Sequence, residues 1–382
     1  MTAPITPITY DLYEKGAIEA AINSTPEWGI LDQKSNMKQG DGLQLTFSAR
    51  VGNTANQNIG AFSDLTSLQV RKTRHAQASL PWGRLANVEA LSSWDLQLNN
   101  NDRSRMESYA KEVVGQQYRS ITTQGENSLS DQFFNTNGET STDELPIHGL
   151  ATIFRPGTTL DTAKEAAIAS GAEYAGLSLE SGGLAGIDGL DARAWTPTMV
   201  NTDYDWDGAG ATELTESNVP KVLGHLHRQL IFGQTEEFSP DCFLTSQDYF
   251  GIISDFIGEK QQIYISDTNK GGSNWGIGTS QQKLSHNGIP VYWSENIAAS
   301  TGYLLNFNQI KQWYLDPKPV EGDYNQNVIA KGGSGKYEQK LKQFSAICER
   351  AGGRLGYVSE IVWGGQYQFN PRFQGQFKKY TA

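Results

Sequence analysis

The stretch GLQLTFSARV, residues 42–51, alternates strictly: Leu43, Leu45, Phe47, Ala49 and Val51 are apolar and the residues between them polar. A period of two sustained over nine residues makes a strand with one buried face. GNTANQNIGAFSD is then rich in turn formers, and SLQVRKTRHA returns with weaker alternation, Leu68 and Val70 followed by charge. Together the arms predict a long two-stranded ribbon. A lone hairpin is marginal in water, so this one must lean on something outside itself.

The ribbon is also where the charge reverses. From Met37 to Arg84 the cations Lys38, Arg50, Arg71, Lys72, Arg74 and Arg84 stand against only Asp41 and Asp64, a net of +4, so with a total of -11 the rest of the chain carries -15. A cationic excursion on an acidic body suits contact with another copy of the same chain, although ordinary solvated strand faces give the same count. The overall acidity argues against a sequence-specific DNA reader, which concentrates basic residues on one face. It leaves room for a protein that encloses nucleic acid without gripping it.

With 382 residues the chain is long enough for two or more packed regions. No apolar run approaches the ~18 residues of a membrane span. The start MTAPITPITYDLYEKG has no basic stretch followed by an apolar one, so no secretory signal is expected. Cys242 and Cys348 cannot build a disulfide framework and suit a reducing cytoplasm, where the sequon at Asn23 goes unused.

Residues 1–36 read as an extended arm with one short amphipathic piece, LYEKGAIEAAI. Asn99–Asp102 is a capping cluster that opens a long helix with Met106, Ala110, Val113, Val114 and Ile121 near helical spacing. That helix breaks near Gly125, and Leu129, Phe133 and Phe134 continue its apolar side. Beyond Gly138 the chain is punctuated by glycine and serine, with helices expected at TLDTAKEAAIASGA and ESNVPKVLGHLHRQLIFGQ. FSPDCFLTSQDYFGIISDFIGE reads as a buried strand followed by a helix. In LSHNGIPVYWSENIAASTGYLLNFNQI, IPVYW and YLLNF read as the strands of a hairpin around a small polar turn. There is no internal repeat.

The candidate chemistry is thin. Asp203, Asp205, Asp207 and Gly208 open like a calcium loop, but position twelve is Leu214, Glu213 sits one place early, and no helix enters from PTMVN. A solvated acidic turn is the better reading. AKGGSGKY has Ala330 at the first glycine of a phosphate loop and Tyr337 where the magnesium-binding hydroxyl belongs. His225 and His227, two apart on a helix, point ~200° away from one another. His75, His148 and His286 lack metal-ligand spacing. There is no GxSxG and no reactive-thiol signature. A carboxylate pair among 42 acids, in a cleft lined by some of the nine Trp and sixteen Tyr, would suit a carbohydrate-active enzyme. Nothing in the residue order selects such a pair, so neither catalysis nor a cofactor is expected.

Three stretches, in order, resemble the major capsid proteins of tailed bacteriophages, the Hong Kong 97-type fold. DCFLTSQDYFGIISDFIGE looks like that family's strand-then-helix element. KLSHNGIPVYWSENIAASTGYLLNFNQIKQW looks like its GxPV segment leading to an apolar strand that ends in Asn. GGQYQFNPRFQGQF looks like its closing strand, with Asn370–Pro371–Arg372 and Gly375 in matching places. Residues 138–240 match least. The resemblance implies an α+β chain divided into an N-terminal arm (1–36), an extended E-loop lying over a neighbouring subunit (37–84), a peripheral domain with a long spine helix (85–150 and 308–382) and an axial domain (151–307). It further implies a structural, non-enzymatic protein that assembles as pentamers and hexamers into an icosahedral shell around double-stranded DNA. Such a shell forms in the host cytoplasm and becomes part of the virion. Arg50, Arg71, Lys72 and Arg74 would be the E-loop contacts to the neighbour.

The implied partners are further copies of the chain, a portal, decoration proteins in some relatives, and packaged DNA touched non-specifically, with no membrane. Some relatives begin with a long scaffolding segment, whereas only 36 residues precede this ribbon, so a separate scaffolding protein is expected. Some relatives also crosslink an E-loop lysine to a neighbour's asparagine. Lys72 and Asn370 would be that pair, but the sequence identifies no activating carboxylate and the crosslink is not expected. Two other readings stay open: a nanocompartment shell of the same fold around an enzyme cargo, and the carbohydrate-active enzyme.

Overall fold

The computed structural model describes residues 25–50, 75–92, 116–123, 127–157, 164–180, 195–208, 213–231, 239–260, 284–315, 336–341, 344–350 and 356–380. Two six-stranded sheets organise them. The first holds β1 (Met37–Gly40), β4 (Gly83–Ser92), β12 (Ile310–Leu315), β13 (Lys336–Leu341), β14 (Phe344–Arg350) and β15 (Gly356–Phe369). Its organiser is β15, fourteen residues long. The strand β15 pairs with β4 along Gly356–Gly365, with β14 along Tyr357–Trp363 and with β12 along Gly365–Phe369. The strand β1 runs parallel to β12, with Met37 opposite Gln312.

The second sheet has the order β7 (Thr198–Asn201), β16 (Gly375–Lys378), β11 (Thr301–Leu305), β8 (Cys242–Thr245), β10 (Ile289–Trp293) and β9 (Ser285–His286). IPVYW is β10, as expected, and YLLNF gives Tyr303–Leu305 to β11 before Asn306 caps the short turn Phe307–Gln309, but the two are not a hairpin. The strand β8 lies between them, parallel to β10 with Val291 opposite Phe243, and antiparallel to β11 with Tyr303 opposite Leu244. The cause is burial. All four residues of β8 are buried, and a strand apolar on both faces belongs in the middle of a sheet. The connection over 294–300 easily spans the ~10 Å across an intervening strand.

The root of a ribbon forms from β2 (Gln44–Arg50) and β3 (His75–Pro81), paired antiparallel from Gln44 opposite Pro81 to Arg50 opposite His75. The turn-rich 52–64 and all of the expected return arm except His75 and Ala76 lie outside the described residues, and the strand that meets β2 runs on to Pro81. Leu45, Ala49, Ala78 and Leu80 are buried on one face, and Gln44, Thr46, Ser48 and Gln77 are exposed on the other. Leu43 departs from the expected alternation and is 99% exposed. Gly42 takes a positive φ of 85° and its carbonyl accepts from Trp82 Nε1 at 3.0 Å. The chain therefore turns there, and the strand begins one residue after Leu43.

Helix α1 (Pro26–Gln33) precedes β1, and α2 (Leu129–Asn135) follows helical turns at 116–122. Ser128 caps α2 by accepting from Asp131 N at 3.2 Å. The interruption expected near Gly125 falls between these helices, and Leu129, Phe133 and Phe134 are fully buried. The expected helix start at Asp102 lies outside the described residues. After the single turn α3 (Leu150–Ile153) come the small hairpin β5 (Glu173–Tyr174) and β6 (Leu177–Ser178), then α4 (Val219–Leu230) and α5 (Gln247–Lys260).

The helix expected at TLDTAKEAAIASGA is not what the described part, from Lys164, adopts. Glu165 bridges Val200 and Ile168 bridges Pro156; Ala166 N donates to Met199 O at 2.9 Å and Asn201 N to Lys164 O at 2.9 Å. The open edge of β7 supplies backbone partners worth more than the few tenths of a kcal/mol per residue of alanine's helix propensity.

Two apolar layers hold the sheets. Val219, Val222, Leu223, Leu226 and Leu230 form one stripe of α4 and pack with Phe243, Leu304 and Phe377. On the inner side, Phe133 lies 5.1 Å from Tyr367 and 5.8 Å from Phe369 of the first sheet, while Phe134 stacks 5.8 Å from Tyr303 of the second. Tyr249 and Phe377 stack at 5.7 Å, and the Phe377 ring covers Gly302, where an added Cβ would come within 2.1 Å of it. Gly302→Ala is expected to lose about 1–3 kcal/mol by overpacking, read as a lower urea midpoint with an unchanged slope.

Candidate functional site

The root of the ribbon is fixed to its own chain. Leu45, Ala49, Ala78 and Leu80 join the core that contains Tyr174 and Ala175, and Ser79 N donates to Ala175 O at 3.1 Å. The resemblance lays residues 37–84 over a neighbouring subunit; the described root of that segment rests on the β5–β6 hairpin of its own chain. Of the candidate contacts, Arg50 closes β2 opposite His75, and Arg71, Lys72 and Arg74 lie outside the described residues. Two of the counted cations are not on the ribbon. Lys38 is in β1 opposite Trp313, and Arg84 is in β4, 3.7 Å from Glu360.

Two buried glutamines of the closing motif, unremarked in the sequence, act as splices. Gln366 Oε1 accepts from His148 N at 2.8 Å, and its Nε2 donates to Pro81 O at 2.9 Å and Pro146 O at 3.2 Å. Gln374 Oε1 accepts from Asn306 N at 3.1 Å while its Nε2 returns to Asn306 O at 3.3 Å. A side-chain amide that satisfies both its donor and its acceptor in the interior fixes register between segments far apart in the chain. Their signal in the sequence is weak: QYQ and QGQ look like any polar alternation.

The acidic turn is neutralised from outside itself. Asp207 Oδ1 receives Lys221 Nζ at 2.6 Å and its Oδ2 receives the Ser217 hydroxyl at 2.7 Å; these bonds hold the carboxyl below the usual carboxylate range. Lys379 Nζ reaches Glu213 at 2.8 Å and Asp203 at 3.7 Å. Asp205 accepts from Gly208 N at 2.6 Å. Leu214, which stands where the calcium-loop glutamate belongs, is buried in the core. These carboxylates therefore diverge toward separate lysines and a backbone amide. Among the described residues no three His, Cys, Asp or Glu side chains converge to hold a metal ion.

His225 and His227 face different ways, as their spacing requires. His225 Nε2 lies 3.0 Å from Glu165 Oε1 and its ring 5.4 Å from that of Trp206. His227 has its imidazole pushed down by burial and by Arg228, and it contributes to pushing down His286. Cys242 is buried, and burial raises its thiol well above the ordinary range, which removes it as a nucleophile. A cleft of about 370 Å³ bounded by Glu165, Ile168, Glu180, Thr196, Pro197 and Met199 has no aromatic ring in its lining, unlike a sugar cleft. Asn370 is half-buried at the turn after β15, its Nδ2 3.4 Å from Gln309 Oε1; Lys72 lies outside the described residues.

No protein-family model and no curated protein matches the sequence. Solved structures do match in fold. A chain of the cyanophage A-1(L) capsid asymmetric unit aligns with a TM-score of 0.52 at 11% identity, over 93% of this chain and 93% of that one. The capsid of a native GTA particle aligns with a TM-score of 0.47 at 12% identity, over 92% and 90%. The holo-SrpI encapsulin complex of Synechococcus elongatus aligns at 0.41 and 11%, over 94% and 91%. At these identities the likeness is one of fold. The chain has the mixed helix-and-sheet fold of the cyanophage capsid chain along nearly its whole length.

One titration separates structure from chemistry at this junction of strands. The His148 ring lies against Gly138, and burial pushes its imidazole down to about 4, although Glu139 stands 3.9 Å from Nδ1. The folded protein thus binds this proton less tightly than the unfolded chain. The stabilisation is complete above pH 6.5 and disappears as pH falls towards 4, a change of about 3 kcal/mol. Because the buried Glu27 titrates in the opposite sense over the same range, the check is a difference: in chemical denaturation from pH 7 to pH 4 the wild type should lose stability relative to His148→Phe, which keeps a ring but cannot titrate.

Proposed function

We propose that this chain is the major capsid protein of a tailed bacteriophage, assembling as pentamers and hexamers into an icosahedral shell that encloses double-stranded DNA. The observation that carries this reading is the fold shared with the cyanophage A-1(L) capsid chain over 93% of both chains.

In this reading residues 1–36 are the arm and 37–84 the E-loop, rooted on its own subunit through Leu45, Ala49, Ala78 and Leu80. The loop reaches a neighbour through its distal part, where Arg71, Lys72 and Arg74 meet an acidic surface. Residues 85–150 and 308–382 form the peripheral domain around the first sheet, with the helix from Asp102 as its spine. Residues 151–307 form the axial domain around the second, to which the closing strand β16 is hydrogen-bonded. Modest contacts repeated at every subunit suffice for a shell because each additional contact is intramolecular once the first has formed. A net-acidic chain suits a container, since a uniformly basic lining would hold packaged DNA tightly and with steep salt dependence. The partners in this reading are further copies of the chain, a portal, a separate scaffolding protein and, in decorated shells, a decoration protein.

Electron microscopy of the purified protein tests the proposal. Closed particles or rings of five and six support it, and a persistent monomer that turns over glycans overturns it. Nucleic acid in native particles distinguishes the phage shell from a nanocompartment, which would hold an enzyme instead. Deleting Thr54–Asp64 at the ribbon tip is expected to leave the subunit's stability unchanged within about 0.5 kcal/mol and to impair assembly. Shells of normal yield from that variant would remove the E-loop assignment.

A further inference from the structure

Glu27, on the first turn of α1, has its carboxyl group wholly inside the protein. Its Oε1 accepts from the Ser130 hydroxyl on α2. Ser130 Oγ accepts from Asn296 Nδ2 at 2.7 Å, and Asn135 Nδ2 donates to Asn296 O at 2.8 Å. Oε2 has no hydrogen-bond partner among the described residues. Among the described residues, the titratable groups facing the carboxyl are Glu295 from the 294–300 connection, Tyr367 from β15 and Cys242 from β8, and none of these is a cation. Lys34, which follows α1, is engaged elsewhere, 2.9 Å from both Asp241 and Asn308.

A buried carboxylate held only by the Ser130 hydroxyl and its own backbone N–H, with no counter-charge among the described residues, is poorly held, whereas the neutral acid fits the same site. Burial outweighs the Ser130 bond, and Glu295 adds to it, so the group is pushed up to about 7. What α1 does in the chain gives this chemistry a mechanical meaning. The helix is where residues 1–24 join the described body, and Pro26 to Leu31 are all buried. Further along, Asn36 Nδ2 donates to Phe307 O at 2.5 Å and Gln312 N to Asn36 O at 3.0 Å. Those anchors contain no group that Glu27 controls.

We propose that Glu27 is a proton-operated latch: protonated, it keeps α1 seated against α2 and the 294–300 connection, and on losing its proton it loosens α1 and the junction with residues 1–24. This is a property of the single subunit and does not depend on the shell reading. The sign follows from the folded protein binding the proton more tightly than the unfolded chain. The seat is tightest below pH 4.5, weakens as pH rises through about 7 and is loosest above it.

Limited proteolysis within residues 25–36 at pH 5.5 and 8.5, normalised to an unstructured peptide, tests the latch. Cleavage in the wild type should rise at least about tenfold at the higher pH, and Glu27→Gln should stay at the low rate at both. Should Glu27→Gln fail to fold, two other variants decide. Glu295→Gln, at an exposed position, should move the transition to lower pH by removing a like charge. Ser130→Ala should move it to higher pH by removing the donor that favours the ionised form. A wild-type rate indifferent to pH, a transition that persists unchanged in Glu27→Gln, or a midpoint that neither of the other variants moves would overturn the proposal.

Discussion

The architecture depends on two adjacent residues of one short helix. Phe133 meets the Tyr367 and Phe369 rings of the first sheet, and Phe134 meets Tyr303 of the second. Two sheets with no strand pairing between them among the described residues are thus joined through side-chain packing from α2. Aromatic burial of this kind is worth several kcal/mol per ring. The surrounding polar groups are arranged to permit it: Tyr367 OH donates to Leu129 O, Tyr174 OH donates to Tyr367 O and accepts from Phe369 N. Burial also keeps the Tyr174 and Tyr367 hydroxyls un-ionised by raising them far above the usual phenol range.

How legible this was in the sequence depended on how local the cause was. The first ribbon strand, the α4 stripe and the β8–α5 pair were readable because two- and 3.6-residue periods are imposed by one neighbouring surface. The adjacency of β10 and β8 was not, because IPVYW and YLLNF carry no mark of a third strand between them. Lys164–Ile168 misled for a related reason. Alanine content speaks only for the isolated segment, and the edge of β7 supplied a better backbone partner. Leu43 failed by a single residue, at the point where Gly42 turns the chain.

The candidate site was legible mainly by exclusion. Residue spacing already denied a calcium loop at Asp203–Asp207 and a shared metal at His225 and His227, and the structure shows where those groups go instead: to Lys221, Lys379 and Glu165. What spacing could not reveal were groups whose importance comes from depth. Gln366, Gln374, His148 and Glu27 are unremarkable letters in polar stretches, and only their enclosure gives them consequence.

The position of β16 has a temporal corollary. It lies between β7 and β11, although both precede it by more than seventy residues. While a ribosome is still adding residues short of Lys378, β11 has one bare flank and β7 lacks its strand neighbour. Such unpaired edges attract other chains, so the nascent protein has a sticky interval that ends only when this late segment slots in.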